Sequence, residues 1–219
     1  MTDFSDLTLD ELRLAMAPAV AEAAIFDGWS DAAVIAAASD VGVDPDVARL
    51  AYPGGAMEMI SAWIETIDAD MAAALQQDVL AQMPIRERIR SLVQYRLDAI
   101  TGLEEALRRA LAIMAMPQNV ASSLKMGWRS ADIMWRLAGD VATDYNHYTK
   151  RTILAGIYSA TLAVFVGDES EGKADTKAFL DRRIEGIMKF EKAKAKLLKS
   201  DRETFSLTRF LGRLRYPAR

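Results

Sequence analysis

An all-α fold is the expectation from this sequence, and three features carry it. The apolar residues come largely as Ala, Leu, Met and Ile rather than as runs of Val and Thr, a choice that favours helix over strand. Only 12 Gly and 6 Pro interrupt 219 residues, and they fall between segments in which apolar side chains recur at helical spacing. With 51% hydrophobic and 26% charged residues, the chain has enough apolar surface to bury a sizeable core, so disorder is not the default.

The elements read in order. Thr8 with Glu11 three residues later forms a capping box that opens a helix over about 8–26, with Leu9, Leu12, Met16 and Val20 on one face. Asp27, Gly28 and Trp29 break it, and Ser30 starts a short helix to about 39. Gly42 then offers a turn, and Asp44 followed by Pro45 opens a third helix to Leu50. Pro53, Gly54 and Gly55 precede a longer helix over about 56–80, whose apolar face includes Met59, Trp63, Ile67 and Met71, with Asp68 assigned elsewhere. Pro84 opens a helix to about 101, and a further one runs over about 103–115. The segment after Ser122 and Ser123, in which Trp128 reads as a core residue, ends at Gly139, and helices over about 142–166 and 174–200 complete the series. The chain thus divides into a helix-turn-helix-like segment (1–55), a helical bundle (56–201) and a C-terminal amphipathic segment (202–219).

Composition excludes several chemistries. No Cys is present, so disulfides, thiol catalysis and cysteine-ligated metal centres are ruled out. A single His, His147, removes clustered-histidine metal sites. The adjacent carboxylates Glu104 and Glu105 lack the matched partner that would mark a general acid and base. An enzyme is therefore not expected, and neither is a catalytic residue, a metal or an obligatory cofactor. There is no apolar run long enough to span a bilayer, and the acidic start does not read as an organellar presequence. The expected location is the bacterial cytoplasm.

A net charge of −4 hides a strong asymmetry. Residues 1–80 carry 15 carboxylates against Arg13 and Arg49, a net of −13, whereas residues 189–219 carry ten basic and three acidic residues, a net of +7. That distribution weighs against nucleic acid. The expected reading helix, 44–50, has two Asp and one Arg, while docking on phosphate requires a positive surface. A ligand-responsive transcriptional regulator is accordingly the runner-up reading.

Residues 118–154 carry a recognisable pattern: Gln118 to Leu124, then Asp132-Ile133-Met134-Trp135, Ala138-Gly139-Asp140, and Asp144 through Arg151. Together with Phe26-Asp27-Gly28-Trp29 and Phe179 to Ile184, this resembles the ubiquinone-biosynthesis accessory proteins of the coenzyme Q "nine" family. The resemblance implies a TetR-like helical fold that no longer regulates transcription, a homodimer, and a cavity for an isoprenoid quinone intermediate or a phospholipid. It also implies a noncatalytic role, presenting a polyprenyl precursor to a di-iron hydroxylase. By the same resemblance Met134, Asp144, His147 and Tyr148 form the hydroxylase-facing patch, where animal members resemble one another in having Trp in place of His147. Without the resemblance, His147 reads equally well as a solvated or ion-paired surface residue.

Two segments are candidates for lipid contact. Leu154, Ile157, Tyr158, Thr161, Leu162 and Phe165 form the candidate cavity wall, because their helix is apolar through several turns. Near the C-terminus, Leu207, Phe210, Leu211 and Leu214 gather on one side at a helical spacing, with Arg209 and Arg213 on another. Such a segment lies at an anionic membrane surface, or packs against its own subunit or a partner. The resemblance favours the membrane, and with it peripheral association with the inner membrane.

Overall fold

Capping chemistry sets the helix boundaries in the computed structural model, which describes residues 4, 6–141 and 145–187. α1 (Leu9–Asp27) opens on the expected capping box: the Thr8 hydroxyl accepts from the Glu11 amide, and the Glu11 carboxylate accepts from the Thr8 amide at 2.9 Å. It has no basic residue in its own last turn. Arg109, from a later helix, supplies one by donating to the Phe26 carbonyl at 3.0 Å, satisfying an acceptor that the helix end leaves open.

α2 (Asp31–Val41) ends at Gly42 in the left-handed conformation, and α3 (Pro45–Leu50) starts from Asp44, whose carboxylate accepts from the Asp46 amide at 2.8 Å. Ser30 stands at the start of α2, yet its hydroxyl donates backwards to the Asp27 carbonyl at 3.0 Å instead of capping the helix. α1, α2 and α3 pack on one another, so the helix-turn-helix outline is realised.

The helix expected over 56–80 is two helices, α4 (Ala56–Ala74) and α5 (Gln77–Ala81). Leu75 (φ −110°, ψ 75°) and the extended Gln76 break the ladder, and the redirected chain fully buries Leu80. Core burial here outweighs uninterrupted helical bonding. The remaining elements are α6 (Ile85–Ala99), α7 (Glu104–Met114), α8 (Val120–Leu137), α9 (Tyr145–Phe165), a 3-10 turn (Glu171–Lys173) and α10, residues 174–187. Among the described residues there is no strand.

α4 is the hub, packing against α1, α6, α7 and α8. Trp63 of α4 meets Trp29 with ring centroids 5.3 Å apart, and the Trp29 indole donates to the Ala106 carbonyl of α7 at 2.9 Å. Both indoles are buried, so the N-terminal three helices share one hydrophobic core with the bundle. Truncating either ring would cost about 3–5 kcal/mol.

Candidate functional site

Two layers meet where α8 and α9 pack: a buried polar network inside the bundle and an aromatic corner above it. The corner is built by a helix end. Gly139 takes a positive φ of 88°, the Asp140 amide donates back to the Trp135 carbonyl at 2.9 Å, and the Gly139 amide donates to Arg136 at 2.9 Å. This left-handed termination closes α8 and aims the Asp140 carboxylate at α9.

Arg151 of α9 is fully buried, and its guanidinium is shared between Asp132 and Asp140. Lys150 pairs with Asp140 at 2.6 Å, stands over the Trp135 ring, and offers its carbonyl to the Trp135 indole N–H at 3.0 Å. A guanidinium can be buried here because two carboxylates and a carbonyl accept from it. Its Nη1 also donates to the His147 carbonyl at 3.1 Å, tying the first turn of α9 to the end of α8.

On that support His147 and Tyr148 meet edge to face with centroids 5.1 Å apart, and Trp128 of α8 lies 6.4 Å from His147 and 5.9 Å from Tyr148. Tyr148 is 61% exposed, and Leu124, one turn before Trp128, is 70% exposed. The corner therefore presents amphipathic rings and an aliphatic side chain to solvent, the side-chain types that anchor protein interfaces. Two expectations are corrected. Met134 has no exposed surface, so it supports the corner from within and its side chain cannot be a contact residue in this conformation. Trp128, expected in the core, is only half-buried and belongs with the rings. Asp144 lies outside the described residues.

Beneath the corner, Asp68 of α4, Arg96 of α6, Ser130 of α8 and Tyr158 of α9 converge. Arg96 donates to Asp68, Ser130 donates to the other Asp68 oxygen at 2.9 Å, and the guanidinium lies 4.8 Å from the Tyr158 ring centroid. Burial pushes the Asp68 carboxyl up, against the pull of the Arg96 charge and the Ser130 hydrogen bond. Asp68 was expected off the apolar face; it is buried instead. The sequence signal was its setting, with Ile64 one turn before and Met71 one turn after, and Arg96 similarly follows Leu92 by four residues.

Of the candidate wall, Leu154, Tyr158, Thr161, Leu162 and Phe165 form a buried stripe along α9, while Ile157 is half-buried. The stripe packs into the core cluster, with Tyr158 committed to Arg96. Phe165 also lines a groove of about 190 Å³ between α6, α9 and the start of α10, together with Leu97, and Gln94, Asp98, Lys173 and Lys177 are among its polar lining. That volume is below the roughly 300 Å³ of small-molecule pockets, room for the end of a chain rather than a whole lipid.

The groove is bounded by a turn held on one carboxylate. Asp168 accepts from the Ser170 and Thr176 hydroxyls and from their amides at 2.9 and 2.8 Å. Those hydrogen bonds, the Ser170 hydroxyl first, hold its carboxyl well below the ordinary range. Lys173, at a positive φ of 57°, reaches back to Glu104 at 3.0 Å and over the Phe165 ring. Glu105 is likewise paired, with Arg108 and Arg109. Leu207, Arg209, Phe210, Leu211, Arg213 and Leu214 lie outside the described residues. Among the described residues no helix is long and apolar enough to cross a membrane.

This arrangement of a helix-turn-helix unit on a helical bundle is that of the TetR class. A solved TetR transcriptional regulator from Nitrosomonas europaea matches it with a TM-score of 0.63, covering 80% of this chain and 97% of that one, at 23% identity, a likeness of fold alone. The chain belongs to the COQ9 family. The COQ9 family model matches residues 120–191, from the first residue of α8 through the aromatic corner and beyond. The mitochondrial ubiquinone biosynthesis protein COQ9 of Rattus norvegicus is 34% identical over 168 residues, 74% of this chain and 54% of that protein. The Homo sapiens protein is 32% identical over the same share of this chain and 52% of its own length, and that of Drosophila melanogaster 26% identical over 86% and 59%. The chain spans about half the length of the curated relatives it matches.

Proposed function

We propose that this protein is a noncatalytic accessory factor of ubiquinone biosynthesis, binding an isoprenoid quinone precursor or a phospholipid and presenting the precursor to a di-iron hydroxylase. The observation that carries the reading is the coincidence of the family match, 120–191, with the exposed Tyr148 ring, the half-buried His147 beside it and the apolar stripe of α9. An oxidation of that kind would belong to the partner. In this reading Tyr148 and His147 meet the hydroxylase, the α9 stripe and the Phe165 groove receive the lipid, and the protein acts as a homodimer. The basic segment from Leu207 to Leu214 attaches it peripherally to the anionic inner membrane of a bacterium.

Because Leu154, Tyr158, Leu162 and Phe165 are packed, entry of a long chain requires α9 and α10 to separate from the Phe165 groove outwards. The cost falls on apolar contacts that the lipid itself replaces. A transcriptional role draws no support from the reading head, where Asp31, Asp40, Asp44 and Asp46 are all exposed and Arg49 is bonded to Asp46. Native mass spectrometry of the purified protein followed by lipid extraction tests the proposal. A dimer carrying isoprenoid or phospholipid is expected, while a lipid-free monomer that fails to capture the hydroxylase would overturn it.

A further inference from the structure

The outer surface of α2 and α3 is acidic. On α3, Val47 and Leu50 stand three residues apart, 43% and 63% exposed, beside the carboxylate of Asp46. α2 packs against α3 and adds exposed Asp31 and Asp40 and, at its margin, Ile35. The one arginine on α2 and α3, Arg49, is already bonded to Asp46 at 2.9 Å. The surface is therefore both acidic and aliphatic, repelling nucleic acid and complementary to a ligand that is basic and apolar at once.

We propose that it is the docking site for this chain's own C-terminal segment, 202–215. Read at a helical spacing, that segment has the matching pair of properties: Leu207, Phe210, Leu211 and Leu214 on one side, Arg209 and Arg213 four residues apart on another. Opposite charge is concentrated at the two ends of the sequence, −13 over residues 1–80 and +7 over residues 189–219.

The 14 residues 188–201 that separate this segment from α10 span about 21 Å as helix and up to about 45–50 Å as extended chain, the latter comparable to the full width of a domain of this size. Because head and segment belong to one chain, docking is intramolecular and independent of protein concentration. The consequence is a choice for the C-terminal segment between the protein's own head and any other apolar or anionic surface. Docking on the head does not depend on the membrane reading above.

The natural absence of cysteine makes the test direct. In the full chain, the pair Leu50→Cys with Phe210→Cys is expected to cross-link within one chain at least tenfold faster than the control pair Leu124→Cys with Phe210→Cys, both first positions being exposed. Adding Asp40→Lys and Asp46→Lys to the first pair, or raising salt to about 0.5 M, which shortens the screening length to a few ångströms, is expected to slow the reaction severalfold. Equal rates for the two pairs, products only between chains, or indifference to charge reversal would each overturn the proposal.

Discussion

Arg151 Nη1 lies 3.0 Å from Asp140 Oδ2 and 3.1 Å from the His147 carbonyl, so one buried guanidinium joins the end of α8 to the turn that carries His147 and the exposed Tyr148. A helix termination at Gly139, a buried ion cluster and an aromatic surface are consecutive consequences of one another. Arg151→Met leaves Asp132 with only the more exposed Arg136 and Asp140 with only Lys150. The expected loss of stability is about 2–3 kcal/mol, since charge-assisted hydrogen bonds are lost but each carboxylate keeps one cation. Urea denaturation reads it, and a loss under about 1 kcal/mol would mean that Lys150 and water replace the guanidinium.

Tyr148→Ala removes a ring that the fold itself scarcely buries. Its melting temperature should stay within about 2 °C of the parent, as for most exposed substitutions, while affinity for the di-iron hydroxylase falls at least tenfold, on the order of an interface anchor. His147→Ala should follow in the same direction with a smaller loss, because its ring is partly covered by Trp128 and Tyr148. Surface-immobilised hydroxylase measures both, and unchanged binding of Tyr148→Ala would remove the corner from the proposed interface.

Leu162 is 9% exposed within the α9 stripe. Leu162→Trp overfills it, at an expected cost of about 1–3 kcal/mol, and should lower the lipid extracted per chain with helical circular dichroism retained. Undiminished lipid content in a folded variant would place the ligand elsewhere.

Asp168 supplies a pH dependence. Its folded carboxyl is held below the ordinary range by Ser170 and Thr176, so the unfolded chain binds its proton more readily. The stabilisation is complete above the unfolded value of about 3.9 and is lost as pH falls through and below it toward the folded value. Asp168→Asn, which keeps one acceptor but replaces the other oxygen with a donor facing Thr176, should cost about 1 kcal/mol at neutral pH, near 2–4 °C in melting temperature. The gap from the parent should narrow below pH 4. Calorimetry across pH 3–7 reads it, and a constant gap would show that the clip acts sterically.

Local chemistry was legible in the residues themselves. The capping box at Thr8 and Glu11, the Asp44 cap before Pro45 and the stop at Gly139 depend on neighbours within a few positions, and all three occur as read. The apolar stripe of α9 was visible for the same reason, since helical spacing alone puts Leu154, Tyr158, Thr161 and Phe165 on one side.

What the tertiary structure alone decided are the relations between helices. Nothing in the spacing of α4 announces that Asp68 would meet Arg96 and Ser130 from two other helices, because a buried charge is admitted only when distant partners arrive to satisfy it. The break at Leu75 is set by the need to bury Leu80, a long-range gain that local propensity does not encode. Met134 and Trp128, both on α8, exchange their expected roles, the one buried and the other at the surface with His147 and Tyr148. The all-helical class was thus determined by sequence, since it follows from composition and short-range periodicity. Which side chains became surface and which became support was decided by packing, since it depends on the angle at which α8 meets α9 and on the buried Arg151 that fixes it.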